Sequence, residues 1–270
     1  MAALQPVLID GQWRDASAAG SFDSYEPQAG RPTGERYPVS ARADVEAALE
    51  AAAAAAAEMS SLPRTAIPQF LDAFAARIET RREEIVATAN RETGLPVVPR
   101  LNDVELPRTT DQLRQAAAAA RSGSWRLPTI DTAAGIRSSY RALGAPVAVF
   151  GPNNFPFAFN SVAGGDFAAA IAAGNPVLAK ANSSHPGTTR LLAAEAFVAA
   201  QQTGLPGAAV QMIYRTEHEL GEWLVAHPAL GATGYTGSRA AGLALKGAAD
   251  AAGKPIYLEL SSINPVVILP

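Results

Sequence analysis

The chain has 270 residues, enough for one large domain or two smaller ones around a well-buried core. Hydrophobic residues make up 48% and charged residues 17%, a balance that excludes a disordered chain. A formal net charge of -3 with no basic block excludes nucleic acid as the main partner, because phosphate binding needs clustered Lys and Arg.

The first 40 residues read as short extended segments. Val7-Leu8-Ile9 and Gln12-Trp13-Arg14 flank Asp10-Gly11, a strong hairpin signal, and Ser21 to Val39 reads as turn-rich. Asp44 is the expected N-cap of an alanine-rich helix ending near Met59. A second helix is predicted from about Pro68, with Phe70, Leu71, Phe74, Ile78, Ile85 and Val86 on one broad apolar face. Gly94-Leu95-Pro96 should end it. A third is expected from about Asn102 to Ala120, followed by an extended stretch to Leu143. The alanine runs read as close helix packing rather than a functional low-complexity tract.

From residue 144 the pattern changes. Apolar strands at Val147–Phe150, Pro176–Ala179, Ala209–Ile213, Gly231–Tyr235 and Ile256–Leu258 alternate with helical lengths at 160–173, 187–203, 217–226 and 238–250. Such alternation predicts right-handed crossovers and a parallel sheet with helices on both faces. Ligands in such sheets bind at the carboxyl ends of the strands. No apolar run is long enough to cross a bilayer, and Met1 to Pro6 has neither a basic n-region nor an apolar h-region. A cytoplasmic protein without a membrane partner is therefore expected.

Four segments at strand ends carry candidate chemistry. Gly151-Pro152-Asn153-Asn154-Phe155-Pro156 is either an ordinary Pro/Asn turn or a rigid loop whose amide could stabilise an oxyanion. Lys180, followed by Ala181-Asn182-Ser183, suits a ribose or phosphate better than an acidic partner. Gly234 to Gly242 joins a strand to a helix, where free N–H groups favour phosphate. Its Gly237 and Gly242 have Walker A spacing, yet Leu243-Ala244 replaces Lys-Ser, and it is not G-x-G-x-x-G either. Glu259 is either a salt-bridged structural residue or a general base raised in pKa by desolvation. His185, His218 and His227 are scattered, with His185 and His227 at X-Pro turns, so no metal site is expected. No G-x-S-x-G elbow is present. The chain has no cysteine, which removes disulfides, thiolate metal sites and a thiol nucleophile from these residues.

Taken in order, these segments resemble the aldehyde dehydrogenase superfamily. Pro152-Asn153-Asn154-Phe155-Pro156 resembles its Pro-Trp-Asn-Phe-Pro loop, and Lys180 its coenzyme lysine. Thr236-Gly237-Ser238 with Gly242 resembles the phosphate turn, Leu258-Glu259-Leu260 the general-base segment, and Ile9-Asp10-Gly11-Gln12-Trp13 the opening hairpin. The resemblance covers the whole chain and implies an oxidoreductase acting on a small aldehyde. Asn154 would supply the oxyanion-hole amide, Lys180 would contact the adenosine ribose, Ser238 the pyrophosphate, and Glu259 would activate water to hydrolyse a thioester. It also implies a modified Rossmann-like core over residues 144–270. Residues 1–143 would then hold the hairpin, the helices and an oligomerisation strand of a homodimer or homotetramer.

Three departures from the family pattern are informative. Asn153 replaces the usual Trp, and Ser261-Ser262 replaces the usual Gly-Gly. Ser183 stands three residues after Lys180, where NAD-preferring members carry a Glu that would repel a 2′-phosphate. NADP is therefore the expected coenzyme, with NAD as the alternative. These features, with Phe155–Phe159, Ser161–Asp166 and Asn264-Pro265, resemble one branch. It contains bacterial α-ketoglutaric semialdehyde dehydrogenases and the fatty aldehyde dehydrogenase of luminous bacteria. The family's nucleophilic Cys lies downstream of the Glu motif, so these 270 residues are expected to be a coenzyme-binding half that is inactive alone. The alternatives are a non-catalytic NADP-binding or assembly module, and a related acyl-phosphate or acyl-CoA reductase. Glu259 speaks against the reductase, whose reaction needs no hydrolytic base.

Overall fold

The computed structural model describes residues 3–262 and 265–269. Met1-Ala2, Ile263-Asn264 and Pro270, which carry parts of the N-terminal and Asn264-Pro265 readings, lie outside the described residues. Strands β1 (Val7–Ile9) and β2 (Gln12–Arg14) form the expected hairpin. Asp10 (φ 53°) and Gly11 (φ 66°) are both left-handed, the twist that a two-residue hairpin turn requires.

The stretch predicted as turn-rich is instead a long ribbon of β3 (Ala18–Glu26) and β4 (Arg31–Ser40). Pro32 and Pro38 are tolerated because a two-stranded ribbon leaves free edges that need no ladder donor. Helix α1 (Arg42–Ser60) starts two residues before the predicted cap. Asp44 is therefore in its first turn, fully buried, accepting the Ser17 N–H at 3.0 Å and facing Arg14 at 3.7 Å.

The single helix expected from Pro68 to Gly94 is two, α2 (Ala66–Thr80) and α3 (Arg82–Thr93). The break falls at Arg81 (φ -99°, ψ 17°), whose guanidinium forks between Glu84 and the distant Glu195 at 2.8 Å. The six predicted apolar positions are all buried, and Gly94 caps α3 in the left-handed conformation. The segment Val97–Glu105, kinked at the extended Val98 (φ -114°, ψ 133°), leads into α4 (Leu106–Ser122), whose first turn carries Pro107, where no N–H is needed. A small exposed hairpin follows, β5 (Thr129–Asp131) with β6 (Ile136–Ser138).

The second half alternates as predicted: β7 (Val147–Phe150), α5 (Gly165–Ala172), β8 (Val177–Lys180), α6 (Pro186–Thr203), β9 (Val210–Ile213), α7 (His218–Ala226), β10 (Ala232–Gly237), α8 (Arg239–Ala251) and β11 (Ile256–Leu260). Helix α5 starts five residues later than expected. The Asn160 side chain bonds the Pro156 carbonyl and the Val162 N–H, competing locally with helix formation. Residues 265–269 are exposed and have no strand partner among the described residues, so no ladder holds them extended.

The sheet order is β11-β10-β7-β8-β9-β1-β2. Strands β11 to β9 run parallel, and the N-terminal hairpin joins antiparallel through Leu8 opposite Met212. Strands β7 and β9 are buried throughout, as helices on both faces require. The chain runs from β7 through β8 to β9, then returns beyond β7 to lay down β10 and β11. This places the topological switch point between β7 and β10, where a crevice opens at the strands' carboxyl ends. Among the described residues, no helix is long and apolar enough to cross a membrane.

Candidate functional site

Strand register aligns the candidate residues at one end of the sheet. Phe150 lies opposite both Lys180 and Tyr235, and Thr236 lies opposite Glu259. Two pockets open there. One, of about 370 Å³, is lined by Asn154, Phe155, Phe159, Gly237, Ser238 and Glu259 among others. The second, of about 330 Å³, presents Lys180, Ser183, Arg215 and Tyr235, together with Glu217 and Glu222. The structure thus brings Asn154, Gly237, Ser238 and Glu259 together, and separately joins Lys180 to Ser183.

The loop that carries Asn154 is pinned from below. Buried Glu105 accepts the N–H groups of Phe157 (2.8 Å) and Ala158 (3.1 Å) and faces Arg100 at 3.1 Å. Burial raises its carboxyl pKa, partly opposed by those two donors and by Arg100. His185, fully buried, donates Nε2–H to the Pro152 carbonyl at 2.9 Å, and burial lowers its pKa so that the neutral ring is favoured. Asn182 donates to the Gly151 carbonyl at 3.0 Å. Arg100 donates to the Asn154 backbone carbonyl at 3.0 Å, and Asn154 is exposed and lines the pocket.

Strand β10 hands the chain to α8 at Ser238, whose hydroxyl accepts the Ala241 N–H at 3.4 Å as the helix cap. Gly242 lies one turn into α8 and lines neither pocket, although its neighbour Ala241 lines the second. A Cβ there would sit 2.4 Å from Leu260 Cδ2, so glycine at this position serves close packing of helix on strand. Glu259 is exposed at the pocket and makes no ion pair among the described residues. It is therefore neither the salt-bridged nor the desolvated residue that its apolar neighbours suggested, because β11 is the sheet's outer strand. Asp166, in the first turn of α5, packs against Gly234. Burial raises its carboxyl pKa, and the charge of Glu259 adds to the rise.

Lys180 is pushed down to about 8, chiefly by burial and secondly by the positive charge of Arg215. An anion held by this ammonium needs it protonated. Binding should be complete below about pH 8 and weaken as pH rises through that value, well before an ordinary lysine titrates. Calorimetric titration with NADP between pH 7 and 10 checks this, and Lys180→Arg should flatten the fall. A wild-type profile that stays flat would remove Lys180 from the phosphate-binding set.

Sequence reasoning passed over several residues that the fold makes central. Glu92 is buried and accepts four hydrogen bonds, from Ser24 Oγ (2.9 Å), Gly187 N–H, Thr188 N–H and Thr188 Oγ (each 2.8 Å). It caps the start of α6 and so fixes the 181–185 turn that carries Ser183. Glu105 and His185 belong to no motif, since their partners lie 52, 53 and 33 positions away, and Arg215 meets Lys180 only through the fold. Among the described residues, no group of three His, Asp or Glu is placed to hold a metal ion.

A doubly wound parallel sheet with its switch point between β7 and β10, and Lys180 ending the neighbouring β8, defines a Rossmann-like α/β protein. A profile of the aldehyde dehydrogenase family matches residues 13–270, and the chain belongs to that family. It is 41% identical to alpha-ketoglutaric semialdehyde dehydrogenase 2 of Azospirillum brasilense, over 97% of this chain and 52% of that protein. It is 38% identical to the alpha-ketoglutaric semialdehyde dehydrogenase of Acinetobacter baylyi, over 97% of this chain and 51% of that one. The fold matches a crystal structure of an NAD-dependent benzaldehyde dehydrogenase from Corynebacterium glutamicum. The TM-score is 0.81 at 26% identity, covering 96% of this chain and 55% of that one. It also matches PnpE in complex with nicotinamide adenine dinucleotide, with a TM-score of 0.83 at 28% identity over 96% and 51%. The chain therefore spans about half the length of the curated relatives it matches.

Proposed function

We propose that this chain is the coenzyme-binding half of an NADP-preferring aldehyde dehydrogenase that oxidises an acidic aldehyde, of the α-ketoglutaric semialdehyde kind, to a carboxylate. The observation that carries the coenzyme reading is the pocket at the end of β8. There Lys180 and Arg215 stand together beside Ser183, and the charge acting most on Lys180 is that of Arg215, not a carboxylate. Two cations and a hydroxyl suit a ribose 2′-phosphate, and Ser183 adds no further carboxylate to Glu217 and Glu222 in the same lining. The N-terminal turn of α8 suits the pyrophosphate, with Ser238 at its cap. When bound, NADP supplies the hydride acceptor.

The remaining steps assigned to this chain's residues are electrostatic and acid–base. The Asn154 amide would donate a hydrogen bond to the oxygen that gains charge as the aldehyde is attacked. Glu259, exposed at the same pocket, would take a proton from the water that releases the acid. The nucleophilic thiol must come from outside these 270 residues, which contain no cysteine. The names of the Azospirillum and Acinetobacter relatives support the acidic substrate. The exposed β5–β6 hairpin, with Ile130 73% and Ile136 52% accessible, supports a homodimer or homotetramer. A cytoplasmic location belongs to the same reading.

Calorimetric titration of the purified chain tests the coenzyme assignment: NADP should bind more tightly than NAD, and equal saturation by both would overturn the preference. The same preparation should show no aldehyde-dependent NADP reduction, and measurable turnover would overturn the division of labour. The absence of cysteine favours a second reading, an NADP-binding or assembly module. The intact mass of the product in its source cells separates the two: well above 27.9 kDa for the half-enzyme, near 27.9 kDa for the module.

A further inference from the structure

The catalytic-side pocket has an aromatic wall with a guanidinium pressed against it. Phe155 and Phe159 both line the pocket beside Asn154, and their rings meet edge to face with centroids 5.1 Å apart. Arg108, in the first turn of α4, lies with its Cζ 5.1 Å from the Phe159 centroid and 5.9 Å from that of Phe155. Arg100 covers the Phe155 ring at 4.2 Å, but it is already paired with Glu105 and hydrogen-bonded to the Asn154 carbonyl.

Arg108 differs from Arg100 in this respect. Its side chain makes no hydrogen bond or ion pair with any described residue, although it is held against two rings. Buried Glu105 feels its charge but accepts the N–H groups of Phe157 and Ala158 and forms its ion pair with Arg100 instead. A guanidinium offers five donors in a planar fork that fits a carboxylate with two parallel hydrogen bonds. Stacking on aromatic faces restricts that plane beforehand, so less entropy is lost when an anion docks.

We infer that Arg108 is a specificity-determining residue that binds the remote carboxylate of an acidic aldehyde whose carbonyl reaches Asn154. The inference rests on the aldehyde dehydrogenase reading above and adds to it the residue that selects the substrate's charge. The ligand lies along the Phe155–Phe159 wall, with its apolar methylenes on the rings, its carboxylate at Arg108 and its neutral carbonyl at Asn154. The competing account is a solvated arginine whose stem merely shields the two rings, and it predicts no discrimination between charged and neutral ligands.

The test uses the chain as it is, with two unreactive probes followed by ligand-observed NMR. Glutaramate carries an amide carbonyl in place of the aldehyde and a carboxylate beyond three methylenes; pentanamide is its neutral counterpart. The wild type should bind glutaramate more tightly than pentanamide. Arg108→Gln should weaken glutaramate about tenfold and leave pentanamide unchanged, and Arg108→Lys should recover part of the loss. NADP titration of each variant reports the fold and the coenzyme site independently. A wild type that does not prefer glutaramate overturns the inference. So does an Arg108→Gln variant that retains the preference, or one that weakens both probes equally while still binding NADP. Loss of NADP binding in the wild type would instead overturn the coenzyme reading.

Discussion

Ser183→Glu should invert the coenzyme preference, weakening NADP about 100-fold while NAD binding holds or improves. Ser183 and Lys180 line the same pocket, three residues apart across the turn that follows β8. A carboxylate there could accept hydrogen bonds from the two ribose hydroxyls of NAD. Against NADP it would face a phosphate of like charge in a partly desolvated site, which costs several kcal/mol. A 100-fold change corresponds to about 2.7 kcal/mol, within that range. Parallel titrations of wild type and variant with both coenzymes decide it. An unchanged NADP affinity would mean that the 2′-position is read elsewhere, with Arg215 the next residue to replace.

Replacing Glu92 with Ala should lower the stability of the fold by about 3 kcal/mol. The carboxylate takes two N–H groups at the start of α6 and two hydroxyl groups, one of them from Ser24 on β3. Removing it leaves buried donors without partners, at about 1–3 kcal/mol for each that water fails to satisfy. The space vacated admits some water, which keeps the total below the sum. Glu92→Gln should cost less, since one amide oxygen still accepts, while its NH₂ faces donors. The shift in urea midpoint at constant slope measures both. Because Glu92 also fixes the turn that bears Ser183, the Ala variant should weaken NADP as well. A loss below about 1 kcal/mol would mean that water replaces the carboxylate fully.

Much of the arrangement was legible in the sequence, because it depends on local rules. The Asp10-Gly11 turn, the Gly94 cap and the five apolar strands of the second half follow from turn chemistry and short hydrophobic runs. Strand–helix alternation alone placed Asn154, Lys180, Ser238 and Glu259 at strand ends. A parallel sheet then necessarily gathers them at one edge. The motif order supplied the family before any coordinate was needed.

The tertiary structure decided what depended on distant partners. The β3–β4 ribbon could not be read, because its prolines signal turns unless the strand is known to lie at a free edge. The α2–α3 break turns on Arg81 meeting Glu195, 114 residues away. Buried Glu92, Glu105 and His185 look like surface residues in isolation, since burying a polar group is costly until its partners are known. Glu259, by contrast, sits among apolar neighbours yet is exposed, because only the sheet order shows β11 to be the outer strand. Local sequence fixes which backbone a segment prefers and where a strand ends. Which side chains are desolvated, paired or left open to a ligand is set by contacts between segments far apart in the chain, and only the folded sheet brings those together.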